Sequence, residues 1–279
     1  MANTTSVNSE LFQNLLVQSQ YAMYENSIAR AVATVFDYPA NAGKVVSVPI
    51  WAGITAATPN EGVAPNAADA NTNSKTITLR EHVVYSQVTD MLRDSAQESV
   101  ITALANQSGL ALAESLDKEI IALFSDAGIT QSVGAAGSDN TVADLMKAAA
   151  ILRANKHSGP IFAVLNPKQA YGIKAAMTAT NSYQNATMVG SDVLGQYFVG
   201  QIAGITILEH ANVAVDANDD ATGCVFAPSA FGLAQRGGVS MEEQRQAAAR
   251  ATDLVLTAVA GAGILRPEMA VKIVGDAAL

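Results

Sequence analysis

Three histidines, a few adjacent carboxylates and one cysteine are the residues of this 279-residue chain best suited to catalysis or metal binding. A structural zinc or a metal-dependent hydrolytic site needs ligands at short, fixed spacings such as HExxH or paired CxxC. His82, His157 and His210 lie far apart and none stands in such an arrangement. Paired carboxylates can divide acid and base roles, but Glu242-Glu243 and Asp219-Asp220 sit in polar surroundings that read as solvated surface charge. Cys224, in the apolar run Cys224-Val-Phe-Ala227, reads as a buried small hydrophobe, and as the only cysteine it allows no intrachain disulfide. Gly261-Ala-Gly263 is followed by Ile-Leu-Arg, which fits neither the phosphate-cradling G-x-x-x-x-G-K-[ST] loop nor G-x-G-x-x-G, and no G-x-S-x-G elbow occurs. The expectation is no catalytic residue, no cofactor-binding residue and no metal ligand, hence not an enzyme.

A chain with nothing to catalyse can still build. Hydrophobic residues make up 49% of it and charged residues 15%, the balance of a folded globular protein with a real core. Much of that apolar content is alanine and Trp51 is the single tryptophan, so packing depends on close approach of small side chains. A net charge of −9, with no run of basic residues among aromatics, argues against tight direct binding of nucleic acid. A container for DNA is compatible with that charge, because a wall gripping phosphate at every subunit would bind it too strongly. The polar start, Met1 to Glu10, lacks the basic and apolar regions of a signal peptide, and no 18-residue apolar run spans a membrane. Synthesis and folding in a reducing cytoplasm are expected.

Hydrophobic rhythm gives the elements. A helix is predicted from about Ser9 to Phe36, with Asn8 or Ser9 as cap and Pro39 as terminator. Gly43 to Trp51 alternates as a strand, with Pro49 marking an edge, and Lys75 to Thr89 alternates likewise with Ile77, Leu79, Val83 and Tyr85 on one face. The two look like a long hairpin. Between them Gly53 to Ser74 is rich in small and turn-forming residues and too long to be idle, which points to a neighbouring subunit. Ser95-Ala-Gln-Glu98 forms a capping box opening a helix to about Ser125, roughly 45 Å long, with Gly109 inside it.

After a Gly-rich break at Gly128 to Asn140, Thr141-Val-Ala-Asp144 caps a helix to about Asn155. Pro160 to Leu165 is a buried strand, and Asn166-Pro167 opens a helix to about Ala179. A polar loop runs to about Gly190, then strands near Ile202 to Leu208, Gly223 to Ala227 and Ala230 to Gln235. Val239 to Val274 reads as strands throughout, with Met241 to Ala249 as charged strand.

This α+β order of arm, long hairpin, long helix, inserted α/β unit and returning strands resembles the Hong Kong 97-like capsid fold of tailed bacteriophages. It covers the whole chain. Local phrasing agrees, in Ile161-Phe-Ala-Val-Leu-Asn-Pro167, Val199-Gly-Gln-Ile-Ala-Gly-Ile-Thr-Ile207, Arg250-Ala-Thr-Asp-Leu-Val-Leu256, Gly261 and Ile264-Leu-Arg-Pro-Glu268. The resemblance implies an N-terminal arm over 1–40 and an E-loop hairpin over 41–90 that reaches across a neighbouring subunit. It further implies a spine helix of the peripheral domain over 91–130, an axial domain over 131–238, with residues near Thr180 to Gln196 at its axis, and a returning β segment of the peripheral domain over 239–279.

The implied function is that of a major capsid protein. Copies of itself assemble as hexamers and pentamers of an icosahedral head, a virion shell around double-stranded DNA that it encloses without sequence-specific binding. The arm begins almost at Met1, without the acidic helical extension that serves some relatives as a built-in scaffold. A separate scaffolding protein and a portal are therefore expected partners, with a cement protein as a further one and no membrane. Some relatives crosslink Lys to Asn between subunits; Lys75 lies near the hairpin but in no matching motif. Two alternatives remain: the shell of an encapsulin nanocompartment, which shares this fold, and a flagellin-like filament subunit, suggested by the Ala/Asn/Ser/Thr bias.

Overall fold

The computed structural model describes residues 15–24, 26–39, 43–51, 72–95, 98–179 and 198–278, with scattered positions between 56 and 64. Helix α1 covers 15–24 and buries Leu15, Ser19, Ala22 and Met23 on one face, a helical repeat read directly from the sequence. A second short helix, α2, runs Ile28–Val32. The expected helix to Phe36 is corrected here: Thr34–Tyr38 is strand β1. The run Thr-Val-Phe-Asp-Tyr is β-branched and aromatic, and a parallel partner at Gly232–Arg236, two hundred residues away, decides in favour of strand.

Strands β2 (Val45–Trp51) and β3 (Thr72–Thr78) pair antiparallel as the expected hairpin. The predicted single strand from Lys75 to Thr89 is two. It breaks at Leu79, and β4 (Arg80–Thr89) leaves the hairpin to join another sheet. The break shifts the inward phase by one residue: Ile77 and Leu79 are buried, then His82 is, while Val83 and Tyr85 turn out to solvent.

Helix α3 (Asp90–Ser95) leads to the long helix α4 (Glu98–Ile121), which tightens to a 3-10 helix over Ala122–Ser125. At 24 residues α4 is about 36 Å long, shorter than expected. The Ser95–Glu98 capping box has its two middle residues outside the described ones, as do most of the 53–71 loop, the 180–197 loop and the residues before 15. Gly109 has a positive reason to be glycine: a Cβ there would stand 2.4 Å from the Ser19 carbonyl oxygen, so its absence lets α1 cross α4 closely.

A four-stranded sheet has the order β1-β10-β11-β4, built around the long antiparallel pair β10 (Phe231–Gln246) and β11 (Ala251–Ile264). Both bear out the strand reading over 241–246 and 251–264, but residues 247–250 form the turn between them, where charged strand was expected to Ala249. One face packs on α1 and α4 through Met23, Leu112, Leu116, Leu254, Leu256 and Ala260. A mixed six-stranded sheet has the order β5-β12-β9-β6-β8-β7, from β5 (Ser132–Gly134), β6 (Ile161–Leu165), β7 (Phe198–Ile202), β8 (Ile205–Glu209), β9 (Asp220–Phe226) and β12 (Ala270–Asp276). The predicted strand over Ile202 to Leu208 is instead the hairpin β7–β8, turning at Ala203 and Gly204, both at positive φ.

Helices α5 (Val142–Ala154) and α6 (Pro167–Ala179) flank this sheet, and Leu145, Ala148, Leu152, Ala170 and Ile173 pack on its strands. Their predicted caps are in place. The Thr141 amide and hydroxyl both donate to the Asp144 carboxylate, and the Lys168 amide donates to Asn166 Oδ1 at 3.0 Å. Burial works against the Asp144 charge, yet the Thr141 and Lys147 hydrogen bonds outweigh it and hold that carboxyl below its ordinary range. The sheets meet where Phe124 in the 3-10 helix after α4, Phe226 on β9 and Phe231 on β10 stack with centroids 4.8 to 5.7 Å apart. Among the described residues no helix is long and apolar enough to cross a membrane.

Candidate assembly surface

A two-stranded hairpin is marginal in water and needs a base to stand on. Here Val46, Ile77 and Leu79 bury against Ala234 and Leu265, with Phe36, Tyr38 and Val259 packed around them. The Leu79 amide donates to the Lys44 carbonyl at 2.8 Å, and the Arg236 guanidinium donates to the Gly43 carbonyl. Gly261-Ala-Gly263 makes this seat possible. A Cβ on Gly261 would lie 2.2 Å from the Thr78 carbonyl oxygen and one on Gly263 2.8 Å from Ile77 Cγ1, so the two glycines form a bare floor under the hairpin root.

Val48 and Ile50 continue that seat half-buried, while Ser47, Pro49, Asn73, Ser74 and Thr76 are exposed and Trp51, at the end of β2, is 63% exposed. An exposed tryptophan is the residue type that anchors protein interfaces. Trp51→Ala is expected to change the melting of the isolated subunit by no more than about 0.5 kcal/mol while weakening self-association measurably in sedimentation velocity. A large loss of subunit stability would instead place Trp51 in the core.

Further apolar side chains are exposed apart from the hairpin, three groups of them close in sequence. Val17, Tyr21 and Tyr24 stripe the outer face of α1, and the Arg30 guanidinium stacks 4.1 Å from the Tyr24 ring. Val83 and Tyr85 line the outward face of β4, and Met91 and Leu92 follow in α3. Asp253, a buried carboxylate that accepts from Gln87 and Gln246, stands near Tyr85, and its acceptor oxygens, with burial and its charge, raise the phenol above its ordinary range.

The residues singled out for chemistry are not brought together. His82 is buried between β4 and α4 with Nδ1 2.7 Å from Ser115 Oγ. His157 follows α5, its Nε2 3.0 Å from the Pro160 carbonyl. His210 is buried after β8, its Nε2 3.3 Å from Asp117 Oδ2. Glu242 and Glu243 are exposed on β10, and burial of neighbouring surface raises the Glu243 carboxyl. Asp219 forms a turn at positive φ, and Asp220 accepts the Gly137 amide at 2.6 Å. Cys224 is fully buried and its thiol is pushed far up by burial, as an inert core residue should be. Among the described residues no group of three or more His, Cys, Asp or Glu could hold a metal.

Asp117 is the polar residue that the sequence reading passed over. Its carboxylate accepts the Ser27 hydroxyl at 2.9 Å and the Ile28 and Ala29 amides at 3.3 and 2.9 Å, besides meeting His210. One carboxylate thus ties α2, α4 and the segment that follows β8. A charged residue flanked by Leu116 and inside the apolar stripe running to Ile120 was the available signal.

Comparison with solved capsids supports this architecture. The cyanophage P-SCSP1u capsid structure superposes with a TM-score of 0.65 at 18% identity, covering 86% of this chain and 85% of that one. The Ralstonia phage GP4 capsid gives 0.70 at 12% identity, covering 91% and 92%. The SrpI encapsulin of Synechococcus elongatus PCC 7942 gives 0.65 at 11% identity, covering 90% and 88%. These likenesses establish the Hong Kong 97-like fold. No curated protein sequence matches the chain. The family model described as phage capsid protein matches residues 73–273, from the hairpin's second strand into β12, and the chain therefore belongs to the phage capsid protein family.

Proposed function

We propose that this protein is the major capsid subunit of a tailed phage, a structural protein that associates with copies of itself as hexamers and pentamers of an icosahedral head around double-stranded DNA. The observation that carries the reading is the β2–β3 hairpin: it is seated along one face, and the other face of β2, Val45, Ser47, Pro49 and Trp51, stands open for a neighbour to cover. On this reading the four-stranded sheet with α4 is the peripheral unit and the six-stranded sheet with α5 and α6 the axial one. The hairpin, 45–78, is the E-loop. A separate scaffolding protein would guide assembly, a portal would occupy one vertex and a cement protein could bind outside. The acidic chain encloses DNA without gripping it, and the mature protein belongs to the virion after synthesis in the host cytoplasm.

The encapsulin likeness supports one second reading, a shell loaded with protein. Both are tested by expressing the chain with its candidate scaffold and imaging the product by electron microscopy. Closed shells are expected, and DNA rather than protein as the content in the native particle. Fibres or persistent monomers would overturn the shell reading, and protein cargo would favour the encapsulin.

A further inference from the structure

A sheet edge with open N–H and C=O groups recruits another strand, and proteins blunt such edges by shortness, proline, lysine or a bulge. Four of the six outer strands here carry one of these devices, and β1, without one, is only half the length of β4. β7 has a register break after Phe198 and β5 is three residues long. β2 contains Pro49 and β3 contains Lys75. β4 has none. It runs ten residues in unbroken register against Ala251–Ala260, without proline, lysine or bulge, and its other edge meets no strand among the described residues. Its two charges, Arg80 and Glu81, sit at its first two positions, and Val83 and Tyr85 are 52% and 59% exposed at its centre.

We infer that the free edge of β4 pairs antiparallel with β4 of a second copy about a two-fold axis near Val84 and Tyr85, joining two four-stranded sheets into one of eight. The inference rests on the self-assembly reading above. Abundance and symmetry select this occupant. Every subunit carries the edge, so its cover must be as abundant as the subunit, and the same edge of another copy satisfies that with an isologous contact. Symmetry also sets the direction: a two-fold axis perpendicular to the sheet reverses the strand, so the two edges run antiparallel. Val83 and Tyr85 of the two copies then come together on the outward face as β-branched and aromatic neighbours.

The test uses a single introduced cysteine, since Cys224 is fully buried. Directly opposed residues of an antiparallel pair have Cα atoms about 4.5–5.5 Å apart, within disulfide range. Shells assembled from Val84→Cys or Tyr85→Cys, oxidised and run without reductant, should give dimers that stop at two chains, while Trp51→Cys shells should not. As an independent measure, the doubles Val83→Lys/Tyr85→Lys and Val83→Glu/Tyr85→Glu should each assemble at least tenfold less than wild type alone and recover when mixed. Shells that form while neither cysteine crosslinks, or charge doubles that assemble alone as well as wild type, overturn the β4 pairing and leave the capsid reading standing. Failure of the wild type itself to form shells removes the capsid reading instead.

Discussion

Asp117→Ala is expected to lower the stability of the subunit by about 3–5 kcal/mol, the cost of stripping one partner from a buried charged network. Asp117 is 2% exposed. Its removal takes the acceptor from the Ser27 hydroxyl and the Ile28 and Ala29 amides and ends the contact with His210, on the wall of a cavity of about 280 Å³ lined also by Asn26 and Glu114. The His210 ring is oriented for donation, because its Nδ1 takes the Asn212 amide at 3.1 Å and so leaves the proton on Nε2. A melting temperature lower by roughly 10 °C would accompany the loss, at about 2–4 °C per kcal/mol. Asp117→Asn retains one acceptor oxygen and should fall between. Amide exchange distinguishes a joint from a local contact: Ile28 and Ala29 should exchange faster in both variants, together with the segment after β8, because one carboxylate holds both. Unchanged exchange in the 205–213 segment would show that Asp117 serves α2 alone.

Gly261→Ala should abolish shell formation while leaving a folded subunit. A methyl at that position must displace backbone, the Thr78 carbonyl at 2.2 Å and Leu79 Cα at 3.2 Å, and not the far end of a flexible side chain. β11 is held on both sides, by β10 and by β4, so the hairpin root is the part that yields. Lifting the root by even an ångström moves Trp51, six residues along β2 from Val45, by more, and each 1.4 kcal/mol lost at the contact it makes lowers association about tenfold. Far-ultraviolet circular dichroism and a cooperative melt should remain close to wild type, and light scattering during assembly should show no growth. A Gly261→Ala protein that assembles normally would mean that the hairpin root is not seated as described.

What was legible in the sequence was what neighbouring residues decide among themselves. The Thr141–Asp144 capping box, the Asn166-Pro167 helix start and the alternation of Val46, Val48 and Ile50 are local patterns, and each produced its element. The misread positions are those settled by residues far away. Thr34–Tyr38 continues a helical apolar rhythm and becomes a strand because Gly232–Arg236 offers it a ladder. The break at Leu79 follows from two sheets competing for one alternating run, β2 taking the residues before it and β11 those after. Gly261 and Gly263 show only that bulk is excluded; what excludes it is a hairpin 180 residues earlier. The divided fate of the last strands, β11 in one sheet and β12 in the other, likewise has no local signature. For the assembly surface, the hairpin was visible in advance, whereas the exposure of Trp51 was not, and that of Val83 and Tyr85 depended on the phase shift at Leu79.

The central claim is that the β2–β3 hairpin lies on a neighbouring subunit. Hydrogen exchange measured on free subunits and on assembled shells tests it most directly, because the hairpin's backbone is paired only within itself and the outward face of β2 is exposed in the subunit. Amides of 45–51 and 72–78 should exchange markedly more slowly in the shell, with the largest change toward Trp51 and Thr72 and little change in the buried strands β6 and β9. Equal exchange of the hairpin in both states would contradict the claim.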